Sequence, residues 1–430
     1  LEGEAEERTR MDSMERPMRI GILHYSCPPL VGGVEEIVSQ HASVLHRLGH
    51  FISVIAGMGE VYTGDFPVRI EPLLGSRNPR VLKAHSACRE GDPSQVRRLT
   101  GEIYEILRDW AAGVDVILAH NVLQMPFNLP LTLALRRLAM DPTVPPVVSW
   151  THDSPYLRPD YPGHLDAFPW NVLKRWHPRI HYITISESRR EELCSRLGDF
   201  GWRVIPNGIN PIGFFYLDPK SVRLAEELRL FDRDLVIVQP SRITPRKNLE
   251  LSIHITYGIK SLGYNVLFML TGAYDPHERR ATAYYRRLKY WIHELGLQEN
   301  ITILAEYTYA DGSRLVPDRI FIRDLYLMAD LLLMTSKDEG FGLPLLEAGM
   351  IKLPIACSEI PPFQEIGTDV CFFRLEDPPL FTAGRIMEYL SRTNTHKMFR
   401  KVMRHYVWDG ICRREILPYL REVVAQGEKR

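Results

Sequence analysis

Short apolar runs bounded by turn residues recur along this chain, with helix-length stretches between them, and that alternation leaves few folds open. The first run is Met18-Arg19-Ile20-Gly21-Ile22-Leu23-His24. After Gly32-Gly33, the stretch Val34 to Leu48 places apolar residues at Val34, Ile37, Val38, Leu45 and Leu48, the spacing of one helical face. Gly49 stands where a helix stops, and Phe51 to Ala56 is the next apolar run. Strand, helix and strand at this spacing form a βαβ unit, which requires parallel strands joined by right-handed crossovers. The rhythm continues at Val114 to Ala119, Val147 to Trp150, His181 to Ile185 and Arg203 to Ile205, with a helix expected over Glu187 to Leu197 capped by Ser186.

Pro206-Asn207-Gly208-Ile209-Asn210-Pro211 is the densest turn signal in the middle of the chain, and the βα rhythm restarts beyond it. Strands are expected at Leu235 to Gln239, Val266 to Leu270, Ile301 to Leu304, Leu331 to Met334 and Ile355 to Cys357. The charged stretch Asp311 to Arg323 reads as an inserted loop. At 430 residues the chain is too long for one ordinary core. The expectation is an α/β protein of two doubly wound domains facing across a cleft, with ligands outside the carboxyl ends of the strands.

Composition narrows the function. Lys plus Arg and Asp plus Glu both number 53, so no excess positive charge points to nucleic acid as a partner. No apolar run approaches the roughly 18 residues of a membrane-spanning helix, and residues 1–17 are charged and read as a disordered tail, not a secretory signal. Peripheral membrane contact and a homodimer stay open. The six cysteines include no Cys-x-x-Cys pair and read as reduced thiols of a cytoplasmic protein.

Two motifs in the second half carry chemistry. Pro240 to Asn248 follows an expected strand and holds Arg242, Arg246 and Lys247 just past its end, where the charge of a diphosphate could be met. Alone, such a cluster reads as a solvated turn. Glu339-Gly340-Phe341-Gly342-Leu343-Pro344-Leu345-Leu346-Glu347 follows another expected strand. Its glycines let backbone approach a ligand, Pro344 suits a helix start, and free amides at that start suit an anion. Glu339 and Glu347 flank those amides, and carboxylates beside an anionic ligand are useful as acceptors for hydroxyls, which sugars and ribose supply.

With these residues the sequence resembles the family 4 retaining glycosyltransferases of GT-B fold, from Met18 to about residue 425. The acid pair Glu339 and Glu347 matches the family signature, Arg242 and Lys247 its diphosphate-binding cations, Pro206-Asn207-Gly208 its interdomain turn, and Gly32-Gly33-Val34-Glu35 its first loop. The resemblance implies a first domain at 18–211 on the acceptor side, a nucleotide-sugar-binding domain at 212–395, and helices at 396–430 that pack back on the first. It implies Glu339 on the donor sugar, Glu347 on the ribose, and the amides of Phe341, Gly342 and Leu343 on sugar and phosphate. Gly340 belongs to the same loop, and Gly32 and Gly33 would border the donor diphosphate and the acceptor. His152, in Thr151-His152-Asp153 after an expected strand, stands where the family has a histidine touching the donor sugar; His120 is the weaker candidate. The catalytic set is then His152, Arg242, Lys247 and Glu339. Asn248 departs from the family's usual glycine, and the 311–323 insert, near where the base is held, leaves the nucleotide open.

The activity implied is transfer of a hexose from a nucleotide diphosphate sugar to an acceptor hydroxyl with retention of configuration. The sugar nucleotide is a co-substrate; no resident cofactor or metal is implied. The acceptor stays unspecified among sugars, sugar phosphates, glycerate-like and lipid-linked alcohols. A nucleotide-sugar epimerase of the same fold and a noncatalytic sugar-nucleotide-binding scaffold are the alternatives, and the lack of a Gly-x-Gly-x-x-Gly fingerprint removes the best support for a dehydrogenase. Asp232-Arg233-Asp234 precedes a strand and reads as solvated charge. Arg77 to Trp110, rich in Arg, His and Lys, reads as a solvated helical face, with a phosphorylated acceptor or anionic lipid as other readings.

Overall fold

A computed structural model of the chain describes residues 16–272 and 279–428; of the charged tail, residues 1–15 lie outside them. The chain divides into two units, residues 1–208 with 411–430, and residues 209–410.

The first unit holds a seven-stranded sheet in the order β3-β2-β1-β4-β5-β6-β7. Its strands are β1 (Arg19–His24), β2 (Phe51–Ala56), β3 (Val68–Ile70), β4 (Val116–His120), β5 (Val147–Thr151), β6 (Ile180–Thr184) and β7 (Arg203–Val204). The second unit holds a six-stranded sheet in the order β10-β9-β8-β11-β12-β13. These are β8 (Leu235–Gln239), β9 (Val266–Leu270), β10 (Ile301–Ile303), β11 (Leu331–Met334), β12 (Ile355–Ser358) and β13 (Cys371–Phe373). Neighbours pair in parallel in both sheets.

The apolar runs are continuous because the central strands are covered on both faces. In β8, Val236 and Val238 enter one core with Leu267, Met269, Leu332 and Met334, while Leu235 and Ile237 enter another with Phe268 and Leu333. Each sheet reverses its strand order next to its first strand, between β1 and β4 and between β8 and β11. Such reversals part the loops that leave neighbouring strands and open a crevice at their carboxyl ends. The loops that carry Gly32-Gly33, Arg242 and Glu339 leave these strands, and His152 follows the neighbouring β5.

Two differences from the sequence reading have simple causes. The stretch 311–323 is not all loop: Asp318 caps a helix, Arg319–Met328, by accepting from Phe321 N at 2.8 Å. That helix shows an apolar stripe of Phe321, Leu325 and Met328 under charged residues, which hides its start in a charged run. The loop before it is tied down, Asp311 accepting from Arg223 at 2.7 Å and Glu227 from Tyr307 at 2.7 Å. The region 396–430 is also divided: helix Asn394–His405 belongs to the second unit, and 411–430 to the first, where helix Leu417–Glu428 packs on β4. Among the described residues no helix is long and apolar enough to cross a membrane.

Helix Asn394–His405 is held to its sheet by a buried carboxylate. Asp330 Oδ2 accepts from Val236 N at 2.7 Å and from Arg400 at 3.0 Å, and the same guanidinium donates to Arg233 O at 2.6 Å. Removing one partner of a buried pair strands the other charge, which typically costs about 3–5 kcal/mol. Asp330→Ala is expected to lower the stability of the second unit by about that amount in denaturant unfolding, and Asp330→Asn by less.

Candidate active site

In the second unit, the loop after β8 carries Arg242, Arg246 and Lys247, and the loop after β11 carries Ser336 to Gly342. A buried set of polar side chains locks the two together. Ser252 donates to Gln239 Oε1 at 2.7 Å and lies 2.7 Å from the hydroxyl of Thr335. That hydroxyl donates to the carbonyl of Lys247 at 2.9 Å, with the carbonyl of Asn248 at 3.0 Å. Lys337 N donates to Arg246 O at 2.9 Å. Asn248 takes φ of 52°, the left-handed conformation that glycine adopts freely and asparagine tolerates best among other residues. That accounts for asparagine in place of the family's glycine.

Lys247 and Glu339, both largely buried, form an ion pair with each other; Arg246 lies 3.4 Å from the same carboxylate, and Ser336 donates to it at 2.7 Å. Arg242 behaves differently. It is exposed, makes no hydrogen bond or ion pair with the described residues, and lines a cavity of about 1100 Å³. Glu347 lines the same cavity, one of its oxygens held by the buried Tyr326 hydroxyl at 2.8 Å. Burial, with the neighbouring carboxylate second, pushes the Tyr326 phenol up, so it stays a donor. Pro317, Asp318 and Arg319 of the former insert complete one wall.

Helix Leu343–Met350 begins at this cavity with Gly342 as its N-cap. Gly342 has φ of 113°, which favours glycine, and a Cβ there would press on the Phe363 ring at 3.0 Å. At this start Pro344 has no N–H and the Leu345 amide donates to the Gly342 carbonyl at 2.9 Å, which leaves the Leu343 amide without an acceptor inside the helix. Phe341 and Leu343 are exposed, and space around Gly340 is open. The structure thus brings Arg242 and Glu347 to one cavity, while Lys247 and Glu339 lie outside its lining, bound to each other.

In the first unit, His24, Gly33, Glu35, Asn121 and His152 line a second cavity, of about 440 Å³. Gly32 caps helix Gly33–Arg47 there. His152 is buried, its Nε2 lying 3.3 Å from Nδ1 of His120 and the two rings stacked. His120 extends the cluster to His41, with ring centroids 5.0 Å apart, and its carbonyl accepts from His24 Nδ1 at 2.7 Å. Sequence reasoning named two of these histidines; His24 and His41 passed as part of an apolar strand and helix.

It also missed Asn121, which follows His120 with φ of 54°. The Asn121 side-chain oxygen accepts from the backbone N–H groups of His152 at 3.2 Å and Asp153 at 3.1 Å, which fixes the loop that carries His152. The readable signal was an Asn placed directly after a strand. Ser186 caps helix Glu187–Leu197 as expected, accepting from Arg189 N at 3.1 Å. Asp234 is tied to Asn265 beside β8 by paired backbone and side-chain bonds. Among the described residues no three His, Cys, Asp or Glu side chains are grouped to hold a metal.

Burial is the main reason all four imidazoles sit below their ordinary pKa of 6.5, with His41 and His152 lowered to about 3 and neighbouring imidazoles adding repulsion. These groups are neutral in the fold at pH 7. Between pH 6.5 and about 3 an unfolded chain binds protons that the folded one refuses, so their contribution to stability falls as pH drops through that window. The denaturant midpoint of the first unit is expected to fall from pH 7 to pH 5; a constant midpoint contradicts the buried-neutral assignment.

Comparison with known proteins agrees with this layout. A family model described as Glycosyltransferase Family 4 matches residues 31–211, and one described as Glycosyl transferases group 1 matches residues 223–370. The mannosylglucosylglycerate synthase of Petrotoga mobilis is 23% identical over 63% of this chain and 64% of its own length, a little under two thirds of that relative. The synthase of the same name from Thermotoga maritima is 23% identical over 81% of this chain and 82% of its own. A solved glycosyltransferase from Rickettsia africae aligns with 95% of this chain and 99% of its own at 17% identity, with a TM-score of 0.36. The two matched models fall one on each unit, on the same residues that carry the strand-end loops described above. The chain belongs to the family 4 glycosyltransferases.

Proposed function

We propose that this protein transfers a hexose from a nucleotide diphosphate sugar to an acceptor hydroxyl with retention of configuration. The observation that carries the reading is the cavity of about 1100 Å³ in which the exposed guanidinium of Arg242, with no partner among the described residues, and a held carboxylate, Glu347, share a wall with a helix start. Its volume of about 1100 Å³ is just above the roughly 300–1000 Å³ of small-molecule pockets, room enough for a sugar nucleotide. Glu347, steadied by Tyr326, has an oxygen left to accept from ribose hydroxyls. Arg242 and the Leu343 amide at the helix start meet the diphosphate. The names of the two synthases support mannose as the first hexose to test.

Departure of the nucleotide diphosphate develops negative charge on its terminal phosphate, and preorganised donors stabilise that charge without reorganising. Lys247 serves this role by exchanging Glu339 for the phosphate, which frees the Glu339 carboxylate for hydroxyls of the transferred sugar. Ser336 keeps that carboxylate in place through the exchange. His152, neutral and oriented by Asn121, supplies a hydrogen-bonding imidazole rather than a cation on the acceptor side. With the leaving charge met by side chains and amides, the reading needs no resident metal.

Loss of one such donor typically costs about 3 kcal/mol, roughly a hundredfold in rate. Arg242→Ala and Lys247→Ala are each expected to lower turnover of GDP-mannose, UDP-glucose or ADP-glucose, whichever the wild type uses, by about that factor. Circular dichroism should show the fold unchanged, and a chelator should leave wild-type turnover as it was. Near-normal turnover in both variants removes the assignment. Conversion of the sugar nucleotide to an isomer without any acceptor points to an epimerase instead.

A further inference from the structure

The cavity of the first unit has an electrostatic character that the transferase reading does not use. Its described lining includes one carboxylate, Glu35, and no lysine or arginine. The carboxylate is built in. Ser26 donates to Oε1 at 2.5 Å, and a Cβ on Gly32 would lie 2.1 Å from Oε2, so the side chain folds back over the glycine. Gly32 itself is extended, with φ of −166°, a conformation open to any residue; what a larger residue would lose there is the room for Glu35.

His24 faces the same cavity with a defined polarity. Its Nδ1 lies 2.7 Å from the His120 carbonyl and so carries the proton. Nε2 is then a lone-pair acceptor, and at 3.9 Å it does not bond Glu35 Oε1. Burial holds this imidazole below its ordinary pKa, which keeps Nε2 unprotonated at neutral pH. The cavity therefore presents two acceptors, Glu35 Oε2 and His24 Nε2, neither hydrogen-bonded by a described residue. A ligand that satisfies them brings hydroxyl donors. A phosphate or carboxylate at the same place meets the Glu35 charge with no cation in the lining to offset it.

We propose that Glu35 and His24 read hydroxyls of the acceptor, and that the group entering this cavity is an uncharged polyhydroxyl unit, a glycosyl or polyol residue. This rests on the transferase reading and on the first unit as its acceptor side. It selects one class from the sugar, sugar phosphate, glycerate-like and lipid-linked alcohols that the sequence left open.

A carboxylate in the first turn of a helix also steadies the helix, so the test needs a readout that stability does not move. Full-length wild type, Glu35→Ala and Glu35→Gln are assayed with GDP-mannose, UDP-glucose and ADP-glucose. The acceptors are glucose, methyl glucoside and glycerol on the neutral side, and glucose 6-phosphate and glycerate on the anionic side. Wild type is expected to prefer a neutral acceptor. Glu35→Ala should lower acceptor kcat/KM about 10- to 100-fold, the usual range for a lost hydrogen bond to a charged group, with donor KM unchanged. Glu35→Gln should shift the neutral-to-anionic ratio of kcat/KM toward the anionic acceptors. Transfer to no neutral acceptor, or an acceptor preference in both variants equal to that of wild type, overturns the proposal. A wild type that neither binds nor consumes any of the three donors overturns the transferase reading, and this one with it.

Discussion

The hydroxyl of Thr335 is where the second unit is fastened. Strands β8 and β11 lie side by side, but the chain leaves them at a point where the sheet reverses its order, and the two departing loops would otherwise diverge. Thr335, set at the end of β11, reaches the backbone carbonyls at Lys247 and Asn248 and is itself held by Ser252 and Gln239. Two loops far apart in sequence are thus bonded to each other. Buried polar groups are costly unless all are satisfied, and here each satisfies the next. The placement of Arg246 and Lys247 next to Glu339 depends on that chain of bonds.

The first unit solves a similar problem differently. At the ends of β1, β4 and β5 it buries imidazoles against one another and against Trp150, and it bends the chain at Asn121 into a left-handed turn that points an amide oxygen at two backbone donors. Burial keeps these rings uncharged, so they organise the cavity through hydrogen bonds and stacking, not through charge. Among the described residues, Arg242, Arg319 and Arg323 line the cavity of the second unit, and no lysine or arginine lines that of the first. The contrast suits a donor that carries two phosphates and an acceptor that carries hydroxyls.

Much of this was legible in the sequence because central parallel strands are buried on both faces and must read as unbroken apolar runs. β8, with Leu235-Val236-Ile237-Val238, is an example. The strands that escaped notice, β3 and β13, are three-residue edge strands; Val68-Arg69-Ile70 is only half-buried and carries no apolar run, and Cys371-Phe372-Phe373 is too short a run to stand out. Helix Arg319–Met328 was hidden by its charged outer face. Of the candidate site, the residues that the sequence offers lie in dense local motifs: Arg242, Lys247, Glu339, Glu347 and His152. Asn121, Thr335, Tyr326 and His24 were not, since each acts on a partner distant in sequence, and single polar residues at strand ends have no periodicity. That Lys247 and Glu339 pair directly was likewise beyond reach, because spacing does not report which charges meet.

The first unit is assembled from two separated stretches of chain, with the second unit as an insertion between them. Helix Leu417–Glu428 packs on β4, with Tyr419 between His181 and the guanidinium of Arg203. Domains tend to fold in order as they leave the ribosome. Here the order is inverted: residues 209–410 emerge as a complete covalent segment while the N-terminal sheet still waits for its closing helix. During synthesis, then, the sheet of the first unit is made before the second unit and closed after it, when helix Leu417–Glu428 reaches β4.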